Sequence, residues 1–146
     1  MLPIHRTIVP DVIKEQALIT LPSNSSVIEA VHLMEERHIG AILVVERGQL
    51  LGIVTERDVV FRVVAKGRDP ASTLLATVMT CDPETLRPTD TVRDALDKMN
   101  AGHYRHLPVI ESGRLIGIVS VRDLYQNVLD QMSTDIILLA EGLLGG

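Results

Sequence analysis

Apolar residues change their spacing along this chain, and the changes come in the same order twice. Ala17 to Leu21 is a short apolar run stopped by Pro22. After the polar stretch Ser23-Asn24-Ser25-Ser26, residues Val27, Ala30, Val31 and Met34 recur at i, i+3, i+4 and i+7, the core stripe of an amphipathic helix. Ser26 and Glu29 stand at capping-box spacing before it. Ala41 to Val45 and Leu50 to Val54 are β-rich runs joined by Glu46-Arg47-Gly48-Gln49, a hairpin connection. Val59, Val60, Val63 and Val64 then return to helical spacing. The second pass repeats each step: Thr85-Leu86 before Pro88, Thr91 with Asp94, and the stripe Val92, Ala95, Leu96 and Met99. Strands come next at Leu107 to Ile110 and Leu115 to Val119, joined by Glu111-Ser112-Gly113-Arg114, with Leu124, Val128 and Leu129 after them. Each pass predicts strand, helix, two strands and helix.

The two passes are one unit duplicated. Gly52-Ile53-Val54-Thr55-Glu56-Arg57-Asp58 recurs 65 residues later as Gly117-Ile118-Val119-Ser120-Val121-Arg122-Asp123. At the same offset, without a gap, Thr20 meets Thr85, Val27 meets Val92, Met34 meets Met99 and His38 meets His103. Two repeats are too few for a solenoid, which needs at least about three, so two units packed face to face about a pseudo-twofold axis are expected. A hairpin plus one further strand with helices on one face gives an α+β layout of mixed three-stranded sheets, β-α-β-β-α in each unit. The boundaries read as 1–68 for a lead-in and the first unit, 69–132 for a linker helix and the second, and 133–146 for a short C-terminal helix or tail. Val9, Val12 and Ile13 of the lead-in are placed under the first unit, and the terminal helix is capped near Ser133 or Thr134.

Composition narrows the function classes. The 146 residues, 46% of them hydrophobic, suit one globular unit or two small intertwined ones, with no space for a catalytic domain. A net charge of −5, one Phe, two Tyr and no Trp provide neither a basic footprint nor a stacking platform, so nucleic acid is not expected as a partner. The single cysteine, Cys81, fits a reducing compartment. Pro3, His5 and Arg6 interrupt any signal-peptide core, and no run reaches the ~20 apolar residues of a spanning helix, so a cytoplasmic protein without membrane insertion is expected. No nucleophile stands beside a base, no Gly-rich phosphate loop is present, and His103 and His106 share no helical face and lack a third ligand. The expectation is a non-enzyme with no catalytic residues and no metal. His38 and His103 read as structural residues at helix ends.

Thr55-x-x-Asp58 and Ser120-x-x-Asp123 are, on their spacing alone, helix-start capping boxes. The whole repeat, ending in Gly, two apolar residues, Ser or Thr, two residues and Asp, resembles the CBS domain, named after cystathionine β-synthase, and the chain is similar to a tandem CBS pair, a Bateman module. The resemblance implies that Thr55, Asp58, Ser120 and Asp123 bind the ribose of an adenosine-containing ligand in clefts between the units. A carboxylate at a helix start accepts from both hydroxyls of a diol, and first-turn N–H groups favour phosphate. It also implies phosphate contacts for the basic pair before the second strand, Arg105 and His106, whose counterparts in the first copy are Gly40 and Ala41. Arg57 and Arg122 are further phosphate candidates or outward helix charges. The implied ligand is AMP, ADP or ATP, with S-adenosylmethionine or NAD behind, and the implied protein is a stand-alone regulatory homodimer signalling to a partner. A CBS pair serving only to dimerise or dock is the alternative.

Overall fold

In the computed structural model, which describes residues 2–145, the first repeat is built on a mixed sheet. Strand β1 (Thr20–Leu21) runs parallel to β2 (Ala41–Glu46), with Leu21 opposite Val44, and β2 is antiparallel to β3 (Gln49–Thr55). The hairpin closes on two residues, Arg47 and Gly48, both at positive φ (52° and 76°), the twist of a type I′ turn. Helix α1 (Val27–Arg37) opens on Ser26, whose hydroxyl accepts from the Glu29 N–H, and ends at His38 in the left-handed region. Its buried stripe of Val27, Ala30 and Met34 packs with Ile42, Val44 and Val54. The chain leaves β3 through one α-helical turn, α2 (Glu56–Asp58), and continues over Val59–Val64 with wider i→i+5 bonds, Ala65 N–H to Val60 O at 2.9 Å.

The segment after this helix completes a compact unit. Leu75 and Val78 of the short helix α3 (Leu75–Val78) enter the same core, and β4 (Thr80–Cys81) pairs antiparallel with β3, so the sheet has four strands in the order β1-β2-β3-β4. Three strands were expected. The fourth fits because β3 carries Gly52 there: a Cβ would stand 2.7 Å from the Thr80 carbonyl oxygen.

The second repeat comprises α4 (Val92–Gly102), β5 (His106–Glu111), β6 (Arg114–Ser120) and α5 (Val121–Gly145). A reciprocal box between Thr91 and Asp94 caps α4, and β5 pairs with β6 across another turn at positive φ, Ser112 and Gly113. The expected first strand is reduced to one parallel bridge, Leu86 with Val109, at the positions equivalent to Leu21 and Val44. Leu86, Val92, Ala95, Met99, Leu107, Val109, Val119 and Leu124 are buried.

One unit is Ala17–Glu84 with the hairpin tip Glu111–Ile116; the other is Met1–Gln16, Thr85–Ile110 and Gly117–Gly146. The lead-in thus joins the second repeat, not the first as expected, and the linker joins the first. Equivalent bonds show why. The N–H groups of Leu75 and Ala76 donate to the carbonyls of Ser25 and Ser23, and those of Ile8 and Val9 donate to Asp90 and Pro88 at the matching places. Val27 N–H donates to Thr73 O, and Val92 N–H to Arg6 O. Ile8 and Leu75 are each fully buried by this exchange, which satisfies the free N–H groups at the start of α1 and α4 as well. Beside β6 the edge partner is a side chain: Gln16 donates Nε2–H to Ile118 O (3.1 Å) and accepts from Ile118 N–H (2.7 Å).

The separate helix expected over 133–146 is absent among the described residues. Ser133 and Thr134 lie inside α5, where the Thr134 hydroxyl donates back to the Asp130 carbonyl (3.0 Å) and starts no new helix. Pairs four residues apart, Gln126 with Asp130 and Gln131 with Asp135, support the continuous helix.

Candidate functional site

Each repeat turns a corner where its last strand becomes a helix, and the candidate residues gather there. At the first corner Thr55 N–H donates to Asp58 Oδ2 (2.8 Å), the Thr55 hydroxyl donates to the same oxygen (3.1 Å), and Asp58 N–H donates to Thr55 Oγ1 (3.3 Å). The other carboxylate oxygen, Oδ1, lies 3.6 Å from Arg62 Nε. Arg62 also donates to the carbonyls of Val78 (2.9 Å) and Met79 (3.2 Å), tying the helix to the linker segment. Both oxygens of Asp58 are therefore engaged. Arg57 is exposed, with its guanidinium 5.8 Å above the Phe61 ring. The strand entry at this corner offers Gly40, whose carbonyl accepts from Glu56 N–H, and Ala41, neither of which brings a cation.

The second corner repeats the box and differs in its surroundings. Ser120 N–H donates to Asp123 Oδ2 (2.9 Å) and Asp123 N–H to Ser120 Oγ (3.0 Å), while no partner for Oδ1 exists among the described residues. The Arg105 carbonyl accepts from Val121 N–H (2.8 Å), as Gly40 does from Glu56, and this bond brings Arg105 beside the helix start. Its exposed side chain has no ion pair or hydrogen bond among the described residues, and in particular none with Glu111. His106 begins β5, half-buried, and Arg122 projects exposed from the first turn of α5. One corner of the second unit thus collects Arg105, His106, Ser120, Arg122 and Asp123.

Sequence reasoning missed Arg62, although the repeat carries the signal. Its equivalent is Asn127, which donates to the Asp11 carbonyl (2.9 Å) and accepts from Arg6 (3.3 Å). Both residues hold the incoming segment, but the shorter Asn127 leaves Asp123 alone. His38 and His103 occupy left-handed positions at the ends of α1 and α4, exposed at the surface. Among the described residues no group of three His, Cys, Asp or Glu side chains is gathered as for a metal ion, and no helix is long and apolar enough to cross a membrane.

A duplicated strand-helix-hairpin-helix unit with a hydroxyl–aspartate box at each strand-to-helix corner defines the class. The CBS domain model matches residues 10–65 and 75–130, and the chain belongs to the CBS domain family, which it carries as a pair. It is 37% identical over 116 residues to the CBS domain-containing protein YhcV of Bacillus subtilis, covering 80% of each. By contrast, it spans about a fifth (21%) of the length of the Arabidopsis thaliana CBS domain-containing protein CBSCBSPB3, at 36% identity over 78% of this chain. A protein with CBS domains from Burkholderia ambifaria superimposes with TM-score 0.81 at 33% identity, covering 85% of this chain and 94% of that one. The CBS domain protein PAE2072 from Pyrobaculum aerophilum, complexed with AMP, gives 0.73 at 26% identity, covering 85% and 96%.

Proposed function

We propose that this chain is a non-catalytic regulatory module of the cytoplasm that binds an adenosine nucleotide, AMP, ADP or ATP, at the Ser120–Asp123 corner and passes its occupancy to a partner protein. The observation that carries this reading is the unengaged Oδ1 of Asp123 at the helix start to which the backbone of Arg105, whose guanidinium is unpaired among the described residues, is bonded. The carboxylate accepts from the ribose diol, the Arg122 N–H between the engaged N–H groups of Val121 and Asp123 meets the phosphate, and Arg105 grips phosphate oxygens bidentately, with His106 and the Arg122 side chain as neighbours. AMP in the Pyrobaculum relative supports the ligand class. The first corner, where Asp58 is held by Thr55 and Arg62, serves as a cap and binds more weakly or not at all. The module assembles as a homodimer, because apolar side chains stay exposed on the helices after both caps, among them Val60, Phe61 and Val64.

The test is a thermal shift with AMP and adenosine. At 1 mM AMP and a dissociation constant near 10 μM, binding adds about 2.7 kcal/mol, roughly 5–10 °C in a chain of this size. Arg105→Ala is expected to weaken AMP at least tenfold and adenosine little. Equal loss for both ligands makes Arg105 structural. A wild-type protein that no adenine nucleotide stabilises favours the purely structural pair, for which the fully engaged first corner already speaks.

A further inference from the structure

Helix α5 runs on after the CBS match ends at residue 130, and from Met132 to Leu143 every residue is exposed. Along it Tyr125, Leu129, Met132, Ile136, Leu139 and Leu143 recur at steps of four and three, each 49–85% exposed. That alternation has the a/d spacing of a coiled coil over about three heptads, with Ile137 and Leu138 exposed beside it, and a lone helix of this length is marginal in water. We infer that this seam pairs, parallel and in register, with the same seam of a second copy of the chain.

Area and charge select that occupant. Side chains of this size and exposure bring roughly 100 Å² each, so twelve of them across two helices approach the ~1,200 Å² of a specific interface. In a parallel pair the flanking positions place Val128 opposite Ser133 and Asp135 opposite Ala140 of the other copy, with no like charges facing. In an antiparallel pair with the seams aligned, Asp135 would approach its own counterpart. An anionic membrane is a poor occupant, because α5 after Arg122 carries Asp123, Asp130, Asp135 and Glu141 and no Lys or Arg.

This inference deepens the proposed homodimer and is independent of the nucleotide. The experiment uses the full chain with the exposed Cys81 replaced, Cys81→Ser. Ile136→Cys, on the seam, is expected to cross-link under mild oxidation to a species of twice 16.0 kDa. An in-register pair brings those positions to about the 6 Å that a disulfide spans. Thr134→Cys, on the opposite face, is expected to stay uncross-linked. In the Cys81→Ser chain, Leu139→Asp is expected to weaken self-association at least tenfold by light scattering and to leave any AMP shift unchanged. Equal cross-linking at 134 and 136 overturns the seam. So does cross-linking only when Met132→Cys and Ile136→Cys chains are mixed, which reports an antiparallel pair. A dimer that survives Leu139→Asp unweakened overturns the seam and leaves the homodimer standing; a wild-type monomer at tens of micromolar removes both.

Discussion

Replacing Asp123 by asparagine separates a cap from a ligand contact, because the two roles use different oxygens. Oδ2 accepts the Ser120 N–H at 2.9 Å, and an asparagine carbonyl can take over that bond, whereas Oδ1 has no partner within the described residues. Without ligand, the variant loses mainly the interaction of a charge with the helix start, about 0.3–1 kcal/mol, or roughly 1–4 °C. With AMP it loses a charge-assisted acceptor for the ribose, about 1.5–3 kcal/mol, so the dissociation constant rises roughly ten- to hundredfold. Asp58→Asn is expected to behave in the opposite way. An asparagine carbonyl can keep the two bonds from Thr55 as well, but the pair with Arg62 at 3.6 Å is lost with the charge, so the variant costs more stability without ligand, about 0.5–2 kcal/mol, and little affinity. Melting curves of both variants with and without AMP, and calorimetric titration with AMP and 2′-deoxy-AMP, read these quantities. On the wild type the deoxy nucleotide should mimic Asp123→Asn. If Asp123→Asn binds AMP as tightly as wild type and the deoxy nucleotide binds equally, Asp123 is a cap and the ribose contact is wrong.

Packing and capping each lead to a further expected outcome. Gly52→Ala drives a Cβ against the Thr80 backbone carbonyl at 2.7 Å, whereas at Gly117 the obstructions are side-chain ends, that of Ile13, which can turn away, and that of Gln16, which yields at the expense of its bonds to Ile118. Urea unfolding should show a loss of about 1–3 kcal/mol for Gly52→Ala and less than about 1 for Gly117→Ala; the reverse order contradicts the pairing of β4 with β3. The Asp94 carboxyl is held below its usual range chiefly by the Thr91 N–H, with burial opposing. A carboxylate whose folded pKa is lowered stabilises above its unfolded value and loses that contribution as pH falls through the folded one. The advantage of wild type over Asp94→Asn, about 0.3–1 kcal/mol at pH 7, should therefore vanish in acid, and an advantage that persists well below the carboxylate range refutes the cap.

Local chemistry made much of the molecule readable from sequence. The stripe Val27, Ala30, Met34 and its copy Val92, Ala95, Met99 are buried helix faces, and both hairpins and both hydroxyl–aspartate boxes form where the spacing put them. The features that escaped depend on long-range partners. The apolar pattern of Val9, Val12 and Ile13 announces that the lead-in is covered, but not by which repeat; the bonds of Ile8 and Val9 to Asp90 and Pro88 decide that. The edge role of Gln16 rests on side-chain geometry with no periodic signature. Ser133-Thr134 resembles a cap locally, yet hydroxyls also tolerate helix interiors by bonding backwards. The unequal corners were legible in part: Arg105-His106 against Gly40-Ala41 was visible at once, while Arg62 against Asn127 gains meaning only when Asp58 is seen to be engaged.

A crystal structure of this protein grown with saturating AMP tests the ligand assignment most directly. The account predicts AMP at the second corner, its ribose hydroxyls within hydrogen-bond reach of Asp123 Oδ1 and its phosphate against Arg105 and the Arg122 N–H. AMP bound with its ribose away from Asp123, or that corner empty at saturation, would contradict it.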